Sequence, residues 1–327
     1  IFDGVGIKTA IISYSNTIPS SQHHFIYKSI EAKRISSVII NNYDSIEIKN
    51  DTLINKKAWI LQPNNESNIL DKIREQSILL NEIAECKQGI VTGRDKAFVD
   101  KKGTFSYLPV EFVKTWIKVG DIHQFYIIPV EDRELVYTNN IVDINQFPAL
   151  VERLLPHKTK LENRREVKSN KIRWFDLQWS RTNDLFDYPK ILCRFKAPYN
   201  TFSIDLNGTY SSADTTVIKI KKEWQNKADL YFLVGVLNSK VLDFYFKSYG
   251  KLMDYRYEYY PGPVGLLPIK LNSEHYFISN LVKEIIEALK NNDKNLLNKL
   301  KSELDSAVYS LYNLNSSEID IIEKTIV

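Results

Sequence analysis

The sequence predicts an α+β protein in which a mixed, strand-rich module with inserted helices precedes a C-terminal helical hairpin. Short apolar runs separated by glycine and proline recur over residues 83–128 and 190–220, which is typical of strands joined by turns. Leucine and isoleucine recur at helical spacing over residues 278–311. With 327 residues, of which 43% are hydrophobic, the chain is long enough to bury one large core or two modest ones.

Residues 1–80 are predicted to form strands and loops that lead into one helix. Apolar runs at Ile7–Tyr14 and Ser37–Ile40 favour strands, and Asn68 is placed to cap a helix that continues to Leu80. The chain does not begin with Met, and an apolar run begins within its first ten residues. We therefore expect it to be a fragment of a longer polypeptide.

Residues 81–270 are predicted to alternate between strands and helices. The leucine spacing over Phe147–Val167 indicates a helix, which Pro156 should kink or break. Three strands are predicted after it: Lys190–Phe195, Thr201–Leu206 and Thr215–Ile220. The pair Asn207-Gly208 provides a turn between the last two. One long helix over Lys227–Tyr249, closed by Gly250, completes this region.

Residues 271–327 are predicted to form a helical hairpin. Ser273 and Asp293 are placed to start its two helices. The leucine and isoleucine side chains have the spacing of a hairpin core, and a partner-binding groove is the alternative interpretation.

Charge is unevenly distributed along the chain, whose formal net charge is +4. Between Lys158 and Lys196, eleven Lys or Arg stand against five Asp or Glu, whereas from Leu271 to the end six Lys stand against nine acidic residues. A localised positive face is typical of a module that binds a nucleic-acid duplex. The alternative for Lys158–Lys171 is the solvated face of a charged helix.

Cysteine, histidine and hydropathy patterns exclude several classes. Cys86 and Cys193 are far apart in sequence, which indicates a reducing, cytoplasmic location without a disulfide framework. No apolar run is long enough to cross a bilayer and no signal-peptide pattern occurs, so no membrane partner is expected. The five histidines and two cysteines lack metal-ligand spacing, so no metal site is expected.

Four segments combine aromatic, basic and small polar residues between turn residues. They are Cys86–Val99, Phe112–Tyr126, Tyr188–Lys219 and Asp254–Ile269. Lysine and arginine supply charge for phosphates, and the aromatic neighbours supply flat surfaces for stacking. The pattern indicates a surface that reads a nucleic acid, without an evident means of cutting or modifying one.

In this order, the segments resemble the C-terminal target-recognition (specificity) domain of TaqI-like adenine-N6 DNA methyltransferases, a group that includes the fused type IIG restriction–modification enzymes. The matching pieces are Gln88-Gly89-Ile90 with Thr92-Gly93 and Lys96–Val99, Lys118–Ile122, Tyr188–Ile191, Ser211–Thr216, Tyr231–Phe246, Tyr255–Tyr257 ahead of Leu267–Ile269, and the ending Leu311–Glu323. The resemblance covers roughly residues 80–327. It implies sequence-specific binding of double-stranded DNA by residues 81–270. It also implies a catalytic methyltransferase domain N-terminal in the same polypeptide, and the segment Ile7–Ile12 resembles the last strand of that catalytic domain.

Methyl transfer itself is not expected of these residues. Such an enzyme holds the flipped adenine with an Asn/Asp-Pro-Pro-Tyr/Phe loop, and no Pro-Pro pair occurs in the sequence. Gly4-Val5-Gly6 is the nearest approach to a glycine-rich cofactor loop, but it precedes a predicted strand where such a loop follows one. No catalytic residue is therefore predicted in this chain, and S-adenosylmethionine is expected as the cofactor of the parent enzyme.

Two other classes of function stay open. A metal-dependent nuclease would use the minimal carboxylate and lysine spacings of Asp44 with Glu47-Ile48-Lys49, or Asp143 with Glu166-Val167-Lys168. Such spacings arise readily by chance when 26% of residues are charged. The other class is an assembly scaffold that uses the Ser273–Leu311 hairpin.

The candidate DNA-contacting residues fall into three groups by chemistry. Base reading is predicted for Arg94, Asp95, His123, Gln124, Arg194 and Lys196, with Lys96 beside them. Backbone anchoring is predicted for Lys171, Arg173, Arg181, Ser211, Ser212, Thr215 and Arg256. Trp174, Trp179, Tyr255 and Tyr257 are candidates for stacking or wedging, with core packing as the alternative. Asp214 is placed either to accept from a cytosine amino group or to hold a neighbouring loop.

Overall fold

The computed structural model describes residues 24–28, 45–49, 64–271 and 275–326. Ile7–Tyr14, Ser37–Ile40, Gly4–Gly6 and Ser273 lie outside the described residues, as do Asp44 and the side chains of Glu47 and Lys49. The predictions made for them therefore stay predictions.

Strands and helices alternate through the described ranges. In chain order the strands are β1 His24–Lys28, β2 Ser45–Lys49, β3 Ile78–Leu79, β4 Ala84–Gln88, β5 Val99–Lys101, β6 Val113–Ile117, β7 Phe125–Tyr126, β8 Arg133–Val136, β9 Lys190–Arg194, β10 Lys196–Ala197, β11 Phe202–Asp205, β12 Tyr210–Ser211, β13 Thr215–Ile220, β14 Leu252–Met253, β15 Arg256–Glu258 and β16 Pro268–Ile269. The α-helices are α1 Asn64–Arg74, α2 Leu80–Ile83, α3 Asp95–Phe98, α4 Pro148–Leu154, α5 Lys158–Glu162, α6 Arg165–Lys168, α7 Leu230–Asn238, α8 Lys240–Tyr249, α9 Pro261–Gly265, α10 His275–Lys290, α11 Lys294–Leu311 and α12 Ser316–Ile326. These elements confirm the predicted α+β class.

A five-stranded sheet in the order β4-β13-β9-β11-β7 separates two hydrophobic cores. Strand side chains alternate between the two faces of a sheet. In β9, Ile191 and Cys193 pack into the first core, with α7, α8, α10, α11 and α12, whereas Leu192 packs into the second. In β13, Ile218 faces the first core and Val217 the second. The central residues of both strands are consequently apolar.

The second core lies between this sheet and a four-stranded sheet in the order β12-β6-β8-β5. Trp116 of β6 is fully buried there, and the rings of Phe186 and Tyr210 stack with centroids 4.7 Å apart. A three-stranded sheet in the order β10-β15-β14 contributes Ala197 to the first core, and Tyr257 packs against that core. The second core is thus lined by strands, short helices and loops of residues 90–217, whereas the first core joins the other face of the five-stranded sheet to the C-terminal helices.

Helix boundaries differ from the predictions where the backbone turns. The helix predicted from Asn68 instead spans α1, and it ends before Gln76, whose φ is +56°. The single helix predicted over 227–249 is wrong, because Ser239 adopts an extended backbone and its hydroxyl caps α8 by accepting from the Leu242 amide at 3.3 Å. The break at Pro156 is confirmed, since a 3₁₀ turn separates α4 from α5.

The strand and tail predictions are confirmed in part. Gly208 has a φ of +67°, as a turn requires, but β11 and β13 each pair with β9 and not with one another. Asp293 caps α11 by accepting from the Leu296 amide at 3.0 Å, as predicted. The hairpin leucines Leu300 and Leu304 are buried in the first core, and α12 adds a third helix that packs against α8. The domain boundaries at residues 80 and 270 stay predictions.

Candidate nucleic-acid interface

One end of the five-stranded sheet gathers most of the predicted base-reading residues. Because β13 is antiparallel to β4 and β9, and β9 is antiparallel to β11, the C-terminal ends of β4 and β9 meet the N-terminal ends of β13 and β11. Strand β7 is parallel to β11, so the residues just before it lie at the same end. We call this end the loop edge; it is formed by Gln88–Arg94, His123–Gln124, Arg194–Lys196 and Ser211–Thr215.

A ledge forms at the loop edge where Gly89 lies against the 211–215 segment. A Cβ atom on Gly89 would lie 2.1 Å from the carbonyl oxygen of Ser212 and 2.7 Å from Thr215 Oγ1, so only glycine fits. The hydroxyls of Ser211 and Thr215 are hydrogen-bonded at 2.8 Å, and both side chains are buried. Ser212 is also buried. In this conformation, the three predicted phosphate anchors shape the ledge and do not present their hydroxyls to solvent.

Arg181 is hydrogen-bonded to Gln88 at the end of β4 and so joins this strand to the neighbouring loops. Its Nε donates to the Gln88 carbonyl oxygen at 3.0 Å, and its NH2 donates to Gln88 Oε1 at 3.1 Å. The Gln88 Nε2 atom donates in turn to the Ala213 carbonyl oxygen at 3.0 Å. Burial lowers the pKa of the Arg181 guanidinium. Trp179 beside it remains 42% exposed, with its ring 5.8 Å from the Arg181 guanidinium carbon. Gln88 was not among the predicted site residues, although it belongs to the Gln88-Gly89-Ile90 motif that contributes to the resemblance.

The guanidinium of Arg173 is likewise hydrogen-bonded to other residues of the chain. Its Nε and NH2 donate to the Asp176 carboxylate, the latter at 2.7 Å, and its NH1 donates to the Ile141 carbonyl oxygen at 2.6 Å. Trp174 is half-buried, and its ring packs against the second core. Lys171, two residues earlier, is exposed, and its ammonium group forms no ion pair with the described residues. Of the anchors predicted in this stretch, Lys171 is the one open to a phosphate.

Arg194 and His123 lie together at the loop edge. The Arg194 Nε atom donates to the Ile122 carbonyl oxygen at 2.6 Å, which leaves its terminal nitrogens without a partner among the described residues. The His123 side chain is exposed overall, but partial burial of its imidazole and the adjacent Arg194 charge lower its pKa. Gln124 differs from both because its side chain is hydrogen-bonded at both ends. Its Nε2 donates to the Asn200 carbonyl oxygen at 2.9 Å, and its Oε1 accepts from Lys301 Nζ of α11 at 3.1 Å.

Lys196 and Asp214 extend the loop edge toward β15. The exposed Lys196 Nζ lies 3.7 Å from a carboxylate oxygen of Glu258. Asp214 is exposed, and its carbonyl oxygen accepts from the Phe195 amide at 2.9 Å. The Tyr260 ring packs edge-on against Phe195 at 4.8 Å, and burial and the nearby Glu258 raise the pKa of the Tyr260 hydroxyl. Tyr260 joins this surface without having been predicted.

The turn between β14 and β15 presents an aromatic–cation pair. Tyr255 is 70% exposed, and the Arg256 guanidinium carbon lies 5.1 Å from the centroid of its ring. The Arg256 Nε atom is buried without a hydrogen-bond partner among the described residues. Tyr257 is half-buried and packs against the first core. Tyr255 is therefore the open stacking surface of this group.

Arg94, Asp95 and Lys96 follow the Gly89 ledge. Gly93 has a φ of +77°, which glycine tolerates, and the chain then turns into the short helix α3. The Thr92 hydroxyl donates to Asp95 Oδ1 at 2.5 Å. Asp95 and Lys96 are exposed, whereas Arg94 is half-buried, and its buried Nε atom has no hydrogen-bond partner in the part of the chain that the structure describes.

The charged stretch at residues 158–171, which we call the basic segment, keeps most of its lysines in solvent. Three lysines are exposed and form no ion pair with the described residues: Lys160, Lys168 and Lys171. Arg164, by contrast, is buried and donates to three backbone carbonyl oxygens at 2.8–2.9 Å. Burial lowers the pKa of its guanidinium. The charged-helix interpretation of this segment and a phosphate-binding face are compatible with the same geometry.

The nuclease pattern within the described residues is dispersed. Glu166 is buried, with its carboxylate 3.1 Å from Arg165 NH2 and 3.0 Å from Gln178 Nε2. Asp143 caps a separate 3₁₀ turn. Across the ranges that the structure describes, three His, Cys, Asp or Glu side chains nowhere converge as a metal would require. No helix in those ranges has the length and apolar character needed to cross a bilayer.

Comparison with known protein families identifies a specificity-domain match. Residues 157–269 match the model of the TaqI-like C-terminal specificity domain. Arg194, Lys196, Tyr255 and Arg256 fall within the matched range, as do Arg181 and Lys171. The match confirms the resemblance read from the sequence.

Two curated relatives are type II methyltransferases. The chain is 28% identical over 255 residues to M.MjaIV of Methanocaldococcus jannaschii, an alignment that covers 73% of this chain and 82% of that protein. It is 25% identical over 205 residues to M.BanIII of Aneurinibacillus aneurinilyticus, which covers 58% of this chain and 35% of that protein.

A solved structure shares the fold. The type IIL restriction–modification enzyme MmeI in complex with DNA superposes with a TM-score of 0.56 at 14% identity, over 76% of this chain and 36% of that chain. At this identity the likeness concerns the fold alone. The chain thus spans about a third of MmeI and of M.BanIII, and most of M.MjaIV.

Proposed function

We propose, from the match of residues 157–269 to TaqI-like C-terminal specificity domains, that this chain binds double-stranded DNA in a sequence-specific manner. It would serve as the specificity domain of an adenine-N6 DNA methyltransferase in a restriction–modification or phage-defence system. The relatives named type II methyltransferases support this parent activity. The MmeI structure, which is a complex with DNA, supports the partner.

The observation on which the proposal depends is the convergence of charged loop residues at the loop edge. A duplex presents a unique donor and acceptor pattern only in its major groove, so base-reading side chains must project together from one surface. β pairing joins there segments that are far apart in sequence: Gln88 pairs with Thr216, Arg194 with Thr215, and Phe125 with Ser203. The proposed base-reading set is Arg94, Asp95, Lys96, His123, Arg194, Lys196 and Asp214.

Arg194 is the proposed centre of base recognition. Its Nε bond to the Ile122 carbonyl fixes the plane of the guanidinium, while the terminal nitrogens stay open. A planar fork held in this way matches the O6 and N7 acceptors of guanine. Exposed Asp214 is placed one residue before Thr215, which pairs with Arg194 in the sheet, and would accept from an amino group.

Phosphate contacts are proposed for the basic segment and for Arg256, which follows the β14–β15 turn and is half-buried beside the exposed Tyr255. Lys171 would act with Lys160 and Lys168, which are also exposed. Such contacts set the register of the protein on the duplex without reading sequence. Arg256 would contact a phosphate, and Tyr255 would stack on a base. Four predicted anchors, together with Gln124, would act indirectly by holding the loops: Arg173, Arg181, Ser211 and Thr215. Ser212, Trp174 and Tyr257 would support them.

In the parent protein, a catalytic domain N-terminal in the same polypeptide would bind S-adenosylmethionine and transfer its methyl group to the adenine N6. This chain would deliver that adenine by binding the flanking sequence. A cytoplasmic location is proposed on the same basis, and endonuclease activity of the parent would require a further domain.

The test is selection of a randomised duplex library by the purified chain, with affinity followed from low to physiological salt. Enrichment of one short motif that contains an adenine is the expected result. The logarithm of the affinity should fall with that of salt by about 0.9 per phosphate contact. Binding with a steep salt dependence but without enrichment would contradict sequence reading by this chain. Absence of binding at both salt concentrations would contradict the proposed function as a whole.

A further inference from the structure

The His123–Tyr126 loop, which includes the short strand β7, holds a bulky residue in an unusual backbone conformation. Phe125 is buried and has a φ of +70°, in the left-handed region that favours glycine. Such a conformation persists when the surrounding structure holds it in place. The neighbouring His123 and Gln124 belong to the loop edge, so whatever holds Phe125 also sets the position of His123.

The C-terminal helices supply contacts that hold this loop. Lys301 of α11 donates from Nζ to Gln124 Oε1 at 3.1 Å, and the same Nζ lies 5.6 Å from the centroid of the Phe125 ring. Lys290 of α10 lies 5.8 Å from the centroid of the Tyr126 ring. A cation above an aromatic face is attracted by the electron-rich ring. Two helices of the tail therefore contact three successive residues of the loop.

The far side of the loop is tied to the five-stranded sheet. Gln124 Nε2 donates to the Asn200 carbonyl oxygen at 2.9 Å, and the Ser203 hydroxyl donates to the His123 carbonyl oxygen. The Arg194 Nε bond to the Ile122 carbonyl joins the same loop to β9. Lys301 thus completes a bridge from α11 through Gln124 to the sheet that carries Arg194.

Lys301 is poorly placed to act as a surface charge. Its side chain is half-buried, and burial lowers the pKa of its ammonium group, with Asp305 one helical turn later acting in the opposite direction. Lys299 on the same helix has a side chain that is 73% exposed and paired with Glu303 at 3.7 Å. The two lysines differ in what they contact, not in residue type, which makes Lys299 a matched control.

We infer that Lys301 is a positioning residue for target recognition, through which the C-terminal helices set the conformation of the His123–Tyr126 loop. The inference rests on the proposed function, because it assigns Lys301 to DNA reading without DNA contact. The Lys301 ammonium group holds Gln124 and Phe125, and these hold His123 beside Arg194. The helical tail would then contribute to sequence preference from the face of the sheet that lines the first core.

The first measurement is amide hydrogen exchange of the free protein. The Lys301→Met variant keeps an unbranched side chain of similar length against Phe125 but removes the donor to Gln124. We expect amides of residues 123–127 to exchange about tenfold faster in this variant, with the rest of α11 unchanged. Lys299→Met should match the wild type throughout. Unchanged exchange of the loop in Lys301→Met would overturn the inference without any reference to DNA.

The second measurement is the affinity of the same proteins for the selected duplex and for a scrambled one. Lys301→Met is expected to lose about tenfold in affinity for the selected duplex, with affinity for the scrambled duplex and the salt slope unchanged. Equal losses on both duplexes, or no loss, would overturn the inference. A wild-type chain that enriches no motif would instead contradict the proposed function, and that outcome is read from the wild type alone.

Discussion

The loop edge and the basic segment both carry positively charged side chains, but these side chains differ in what they contact. At the loop edge and its supporting loops, Arg181 and Arg194 donate to backbone carbonyl oxygens of distant segments. In the basic segment, Lys168 and Lys171 remain in solvent without an ion-pair partner among the described residues. A guanidinium is a planar fork that can hold a loop and still present donors, whereas an ammonium group is a compact, strongly hydrated charge. In the proposed function, this difference would assign base reading to the loop edge and phosphate binding to the basic segment.

The largest expected effect tests whether the loop edge depends on its ledge. In Gly89→Ala, the added Cβ would meet backbone oxygens at 2.1 Å and 2.7 Å, which the ledge cannot relieve by a side-chain rotation. We expect the free energy of unfolding in urea to fall by about 3 kcal/mol. Gly120→Ala is the control, because nothing lies within 4 Å of its Cβ position, and it should change stability by less than about 0.5 kcal/mol. Equal stabilities would show that the ledge is not closely packed.

Arg194→Ala tests base reading at the loop edge. We expect the difference in binding free energy between the selected duplex and a scrambled one to shrink by about 2 kcal/mol, because a bidentate base contact is lost. Competition binding of the two duplexes at one salt concentration measures this difference. If Arg194→Ala weakens both duplexes alike, Arg194 leaves the base-reading set and the contrast with the basic segment fails.

Lys171→Ala tests the opposite role in the basic segment. Binding to every duplex should weaken by about 1 kcal/mol of binding free energy. The slope of log affinity against log salt should become less steep by about 0.9, because one phosphate contact is lost. Lys324→Ala, which removes an exposed lysine from α12 in the acidic tail, is the matched control and should change neither quantity. A change of sequence preference in Lys171→Ala would place base reading in the basic segment.

The smallest expected effect concerns protonation of His123. Burial and the Arg194 charge hold the pKa of His123 below its ordinary value of 6.5, so its share of folding stability is present above pH 6.5 and is lost as the pH falls through the folded-state pKa. Titration of the imidazole by NMR should show the low pKa in the wild type. In Arg194→Ala the pKa should rise toward 6.5, since one like charge is removed while burial remains. Lys171→Ala should leave it unchanged; a rise there would mean that the two regions are electrostatically coupled.

Much of the fold was predictable because its signals are local. The break at Pro156 and the Asp293 cap of α11 follow from the stereochemistry of one residue and its immediate neighbours, and both are confirmed. The split of residues 227–249 at Ser239 was missed because apolar spacing continues across it. The pairing of β11 and β13 with β9 was missed because strand order depends on contacts between distant segments.

By itself, the sequence determined the α+β class, the order of the recognition segments and the resemblance to TaqI-like specificity domains that residues 157–269 confirm. Periodicity, turn residues and motif order are properties of neighbouring positions, so they can be read without coordinates. Only the tertiary structure decided which cations are free. Arg181 bonds a backbone carbonyl 93 residues away, and Lys301 bonds a side chain 177 residues away. A carbonyl oxygen is the same group in every residue, so no sequence pattern marks the one that an arginine will find.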